Sequence, residues 1–109
     1  METIHSIQQF DGILSENGAV LAYFSTENCS VCKALKPKVA EMVNEAFPKM
    51  KMMSVQSDIL PQLAAQNRVF AAPTIVVFFE GRETIRKNRA FGVDELKAEI
   101  QRTYSLLFE

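Results

Sequence analysis

Hydrophobic positions change their spacing several times along the 109-residue chain, and each change marks a new element. A short β-prone start at Thr3–His5 gives way to Ile7, Phe10, Ile13 and Leu14, spaced to lie on one face of a helix. Glu16-Asn17-Gly18 is a turn signal, and Ala19–Phe24 is apolar at every position, as a central strand buried on both faces requires. From Cys32 to about Phe47, the residues Leu35, Val39, Met42, Val43 and Ala46 recur at helical spacing. Pro37 interrupts that run and is expected to kink the helix about a turn in, because it donates no N–H and crowds the preceding turn. Met50–Val55 predicts a second strand, and Ile59 to about Gln66 a short helix with Ser57 or Asp58 as its cap. Thr74–Phe79 is β-branched and aromatic, Glu80-Gly81-Arg82 is a turn, and Glu83–Arg89 is the returning arm of a hairpin. Gly92 breaks the chain before a last helix from Val93 to about Leu107, with Asp94 near its start and Leu96, Ile100, Tyr104 and Leu107 along one face. The order βαβαβαββα predicts an α/β domain whose central mixed sheet carries helices on both faces.

No repeat, low-complexity run or linker interrupts this order, so residues 1–109 are expected to form a single soluble domain. With 48% hydrophobic residues, a chain of this length buries roughly 60–70% of its unfolded surface and needs no structural metal or disulfide staple. The formal net charge of −1 argues against a nucleic-acid module, which needs a concentrated positive field. The longest nearly apolar run, Ala71–Phe79, is far short of the roughly 20 residues that span a bilayer. The start, METIHSIQQF, lacks the basic and apolar segments of a secretory signal, so a cytoplasmic location is expected if Met1 is the natural start.

That location bears on the two cysteines. Cytoplasmic disulfides are usually transient, so Cys29 and Cys32 are not expected to be a permanent staple. They stand directly after the buried strand and at the start of a helix, which is a sharper signal than the same spacing in a loop. The unpaired N–H groups and positive dipole end of the first turn would stabilise a thiolate at Cys29. Cys32, one turn further in, would be shielded and poised to attack a mixed disulfide on Cys29. Two other readings stand beside this one: a pair of structural thiols, and half of a four-ligand metal site. The only histidine, His5, lies far off and reads as an ordinary strand-edge residue, so a metal site would need a dimer to complete it, and no metal is expected. Lys33, Lys36, Lys38, Arg82, Arg86, Lys87 and Arg89 read as solvated faces more than as a surface that steers acidic partners. Met42, Met50, Met52 and Met53 read as core or sheet-face residues, with at most one exposed.

These features resemble the thioredoxin family over nearly the whole chain. The strand Val20–Phe24 running into Cys29-Ser30-Val31-Cys32-Lys33 matches the family's redox-active element, and Pro37 lies where the family carries its helix-kinking proline. Ala72-Pro73-Thr74 looks like the family's cis-proline loop, which faces the cysteine pair and offers backbone groups to an extended substrate. Gly81 and Gly92 also fall where the family has them. The resemblance implies the thioredoxin fold, with Cys29 as nucleophile, Cys32 as resolving cysteine and Pro73 at the substrate groove. It further implies that Asn28, Ser30, Val31, Ala72, Thr74 and Gly92 border that groove. The activity implied is thiol–disulfide exchange on disulfide-containing proteins by a monomer with no bound cofactor, recharged by a reductase or a low-molecular-weight thiol.

Departures from the family pattern carry expectations of their own. Asn28 stands where classical thioredoxins have tryptophan, Ser30-Val31 replaces Gly-Pro, the buried aspartate falls on Tyr23, and the lysine near it on Ser57. Loss of that carboxylate removes a proton carrier for Cys32, a contribution typically worth 10²–10⁴-fold in rate, and Glu27 is the nearest replacement in sequence. Tyr23 is read as a packing residue before one that hydrogen-bonds near Cys32. Ser30-Val31 holds no cation to stabilise the Cys29 thiolate strongly, so a reductant or redox-balanced protein is expected over a strong oxidant. Small side chains at Asn28 and Ala72 should flatten the groove. The alternative is an interaction module that keeps the fold and turns over poorly.

Overall fold

The computed structural model describes residues 1–89 and 91–109. In chain order the elements are β1 (Glu2–Thr3), α1 (Ile7–Glu16), β2 (Ala19–Ser25), α2 (Ser30–Ala46), β3 (Lys51–Gln56), α3 (Pro61–Gln66), β4 (Thr74–Phe79), β5 (Arg82–Asn88) and α4 (Val93–Phe108). The five strands form one mixed sheet in the order β1-β3-β2-β4-β5. β3 runs parallel to both β1 and β2, and β4 is antiparallel to β2 and β5.

The alternation of side chains along β2 and β4 sorts the core into two layers. Ala19, Leu21, Tyr23, Ile75, Val77 and Phe79 face α2 and α4, where they meet Val39, Val43, Leu96 and Ile100. Val20, Ala22, Phe24, Val76 and Phe78 face the other way, onto Phe10 and Ile13 of α1 and Leu63 of α3. Ala19–Phe24 are each 0% exposed, which is why that strand is apolar at every position. Burying one large side chain of this kind contributes roughly 1.5–3 kcal/mol. Met42, Met50 and Met53 are buried and Met52 is partly buried, so the methionines belong to the core and sheet faces.

Local chemistry explains the element ends. Ser6 caps α1 by accepting the Gln9 N–H at 3.1 Å, and Gln9 returns a bond to the His5 N–H. The β4–β5 hairpin turns on Glu80 and Gly81, with φ of 54° and 77°, as a two-residue turn of this hand requires. Pro37 lies inside an unbroken α2. The start of α3 differs from expectation. Neither Ser57 nor Asp58 caps it: the N-cap is Leu60, with no side-chain cap bond, and Pro61 fills the first turn, where a missing N–H costs nothing. Residues 57–60 are used instead to turn the chain off β3, with the Ile59 and Leu60 N–H groups bonded to the Gln56 carbonyl.

Candidate active site

β2 carries the chain to the edge of the core at Ser25, and Thr26–Asn28 lead directly into α2. Cys29 is the N-cap of that helix, with φ −109° and ψ 100°, and its Sγ accepts the Cys32 N–H at 3.1 Å. The two cysteines are joined as a disulfide across a Cα–Cα distance of 5.2 Å. Cys29 is partly exposed, whereas Cys32 is 2% exposed. The helix therefore supplies an N–H to one sulfur and hides the other. In the reduced pair a thiolate at Cys29 gains from the same N–H and from the helix N-terminus.

An open groove of about 540 Å³ lies over Cys29. Asn28, Ser30 and Val31 line it from the helix side, and Ala72 and Pro73 from the loop before β4, where the Ala72–Pro73 bond is cis. Thr74 and Gly92 do not line this groove. Thr74 is 1% exposed and turns its hydroxyl back to the Ala71 carbonyl at 2.7 Å. Gly92 serves as the N-cap of α4. Two further residues line the groove: Thr26, and Arg89, which the sequence places on a solvated basic face. Arg89 reaches the groove because φ of 60° turns the chain at the end of β5 and its N–H bonds the Pro73 carbonyl at 3.1 Å. No local sequence signal marks either residue.

Behind Cys32 the polar environment differs from what the family resemblance implies. Parallel pairing of β2 with β3 places Tyr23 opposite Ser54, so Ser54, not Ser57, is the neighbour of Tyr23. Ser57 lies past the end of β3, where its N–H bonds the Ser25 carbonyl. Tyr23 is both a packing residue and a hydrogen-bond donor: it is 0% exposed, and its hydroxyl donates to the Cys32 carbonyl at 2.7 Å. Burial pushes the Tyr23 phenol up to about 12, so it stays protonated and neutral. Cys32 also borders a cavity of about 340 Å³ walled by Thr3, Ser25, Ser54 and Gln56, with Glu27 and Lys36 among its ionisable residues. A space of this size exceeds what one water molecule needs, and Ser25, Ser54 and Gln56 bring polar groups to its walls.

The remaining expected residues have separate roles. His5 is exposed beside β1, and among the described residues no group of three or more His, Cys, Asp or Glu side chains is arranged to hold a metal. Arg86 pairs with Glu83 at 2.8 Å and donates to the carbonyls of Asn67 and Arg68, and Lys87 pairs with Glu95 and Glu99. These two basic residues tie elements together instead of forming a solvated face. No described helix is long and apolar enough to cross a membrane.

Comparisons with known proteins agree with this geometry. The chain is 26% identical to a thioredoxin-like protein of Bacillus subtilis over 97% of its own length and 94% of that protein. It is 34% identical to a thioredoxin of Mycoplasma pneumoniae, covering 82% of this chain and 83% of that one. The X-ray structure of Fasciola hepatica thioredoxin superposes with a TM-score of 0.84 at 26% identity, covering 94% of this chain and 98% of that one. The family model described as Thioredoxin matches residues 2–102. A disulfide at the first turn of α2, one sulfur reachable and the other enclosed, on a five-stranded sheet of this order, thus has its explanation: the chain belongs to the thioredoxin family of thiol–disulfide oxidoreductases.

Proposed function

We propose that the chain reduces disulfides in protein substrates, and the observation that carries this is the unequal exposure of Cys29 and Cys32 beside an open groove. The Cys29 thiolate attacks one sulfur of the target disulfide, forming a mixed disulfide and releasing the other target sulfur as a thiolate that takes a proton from water. Cys32 then loses its proton, through the cavity behind it, and attacks the Cys29 Sγ. The second target thiol leaves, and two electrons have passed from the cysteine pair to the target. A reductase or a low-molecular-weight thiol restores the dithiol. No resident cofactor takes part, the working unit is a monomer, and the site of action is the cytoplasm. Pro73 and Ala72 border the bound segment on one side, and Asn28, Ser30 and Val31 on the other. Thr74 braces the loop from outside the groove through its bond to the Ala71 carbonyl.

The direction follows from the residues around Cys29: Ser30 and Val31 hold no cation, so the reduced form lacks the strong stabilisation that makes an oxidant. The test is dithiothreitol-driven reduction of insulin by the wild type, Cys29→Ser and Cys32→Ser. The expected result is catalysis that vanishes in Cys29→Ser, with Cys32→Ser accumulating a mixed disulfide. A wild-type rate equal to the dithiothreitol background would overturn the reading in favour of a binding module with little turnover.

A further inference from the structure

Among the described residues, Arg89 is the one ionisable side chain besides Cys29 on the groove over Cys29. Its backbone is an uncommon one for arginine. With φ of 60° it is left-handed, a conformation that glycine adopts freely and that strains any residue carrying a Cβ. The surrounding structure holds that strain in place. Asn88 pairs with Thr74 at the end of the β4–β5 ladder, the Arg89 N–H bonds the Pro73 carbonyl at 3.1 Å, and Phe91 packs against the core. The turn thereby adds an exposed cationic residue to a groove whose other walls are uncharged. Arg89 also differs from its neighbours on β5. Arg86 is paired with Glu83, and Lys87 with Glu95 and Glu99, whereas among the described residues no carboxylate pairs with Arg89. A strained backbone that presents an unpaired charge beside a reactive sulfur calls for a functional explanation.

We propose that Arg89 is a specificity-determining residue that pairs with a carboxylate of the polypeptide whose disulfide Cys29 attacks. The inference rests on the proposed reduction of protein disulfides and adds the class of client: segments with an aspartate or glutamate close to the reactive cysteine. A guanidinium presents a planar fork of donors that a carboxylate matches with two bonds. Such a pair gains little in open water and more where apolar walls exclude solvent, and Val31, Ala72 and Pro73 supply such walls here. A lysine or arginine of the client would meet a like charge and is disfavoured. The acidic residues nearest the site do not line this groove: Glu27 borders the cavity behind Cys32 with Lys33 and Lys36, and the Asp58 Oδ2 accepts the Glu27 N–H at 3.3 Å. Any effect of the Arg89 charge on the Cys29 thiolate is common to all clients, so it cancels in a ratio of rates.

The test uses the reduced full chain and short Gly/Ser peptides, blocked at both ends, whose single cysteine is activated as a pyridyl disulfide. Attack by the Cys29 thiolate forms the peptide–Cys29 disulfide and expels pyridinethiolate, which takes a proton from water and is read by its absorbance. Cys32 then attacks the Cys29 Sγ and frees the peptide thiol, leaving the pair oxidised. One aspartate is walked through the peptide on either side of the cysteine, with asparagine and lysine at the same positions, and each rate is divided by that of the same peptide with mercaptoethanol. The expected result is one or two positions where aspartate raises the rate about threefold over asparagine and lysine lowers it, with the ratio falling toward 1 as salt rises. Arg89→Gln should bring the ratio close to 1, Arg89→Glu should turn it below 1, and Arg89→Lys should keep part of it. Arg82→Gln, which removes the same charge at the hairpin end of β5, should leave it intact. Equal rates at every position, a ratio unchanged in Arg89→Gln, or an equal loss in Arg82→Gln would overturn the assignment and leave protein-disulfide reduction standing. A uniform drop of all rates in Arg89→Gln, with the ratio preserved, would assign the charge to the thiolate and also overturn it. No reaction with any peptide, together with no insulin reduction, would remove both.

Discussion

Replacing Tyr23 by phenylalanine removes one oxygen from the middle of the core and leaves the ring in place. That oxygen donates to the Cys32 carbonyl at 2.7 Å, and the side chain is 0% exposed, so no water replaces the lost bond without rearrangement. A neutral buried hydrogen bond contributes about 1 kcal/mol, and leaving its acceptor short of a partner adds to that. Tyr23→Phe should therefore cost about 1–2 kcal/mol, a factor of about 5–30 in the folding constant and several degrees in Tm. Urea denaturation of the oxidised proteins at neutral pH measures this directly.

The same phenol gives a second reading above pH 10. Its folded value of about 12 lies above the ordinary 10, so the unfolded chain ionises first. The resulting stability is fully present below pH 10 and is lost as pH rises toward 12, at about 1.4 kcal/mol per unit and about 2–3 kcal/mol in all. Neither cysteine titrates in the oxidised form, and Tyr104 is common to both proteins. The difference between wild type and Tyr23→Phe thus isolates Tyr23, and it should shrink across this window and reverse sign toward its upper end. Equal stability at neutral pH, or parallel curves from pH 10 to 12, would refute the burial argument. Because the hydroxyl holds a carbonyl and not a sulfur, the exchange rate should change by less than about threefold, and a loss of 10²-fold or more would instead make Tyr23 a proton carrier.

Two further substitutions test how the site is framed. Arg86→Met removes the donors to Asn67 and Arg68 and the pair with Glu83, and should cost about 1–3 kcal/mol in urea, with faster amide exchange at Val69 and Phe70 as the local signature. Gly81→Ala should cost about 1 kcal/mol in thermal unfolding through backbone strain alone, because φ is +77° and an added Cβ meets no atom within 4 Å.

Periodicity made most of the fold legible, and it did so where one kind of burial dominates a whole element. β2 reads as a central strand because both of its faces meet helices, and α4 reads as amphipathic because Leu96, Ile100 and Tyr104 turn inward, with Val93 and Phe108 packed beside them. The misreadings come from relations between elements. The neighbour of Tyr23 depends on the register of β2 against β3, which neither strand's own pattern marks, so it is Ser54 and not the Ser57 that the family resemblance implies. The start of α3 departs from expectation because the two good capping residues, Ser57 and Asp58, lie in the turn that precedes it. At the site, Cys29, Cys32, Pro73 and their sequence neighbours were visible as motifs. Thr26 was not, because it is a plain loop residue, and Arg89 was not, because it arrives through one positive φ at a strand end.

The sheet has two outer strands, and neither offers a long bare rail of backbone groups. β1 is two residues long, with Glu2 bridging to Lys51 at 2.9 Å, and β5 carries Arg82, Glu83, Arg86 and Lys87 beside an irregularity at Val77/Phe78. Short, charged and irregular margins are what keep sheets from recruiting stray strands. For a protein whose proposed clients are extended polypeptides, this matters doubly. A client that zipped onto a margin would be held far from the sulfur and would seed co-aggregation. Guarded margins would leave the cleft over Cys29 without a rival for such clients, so the sheet's borders would serve the proposed exchange by what they refuse to bind.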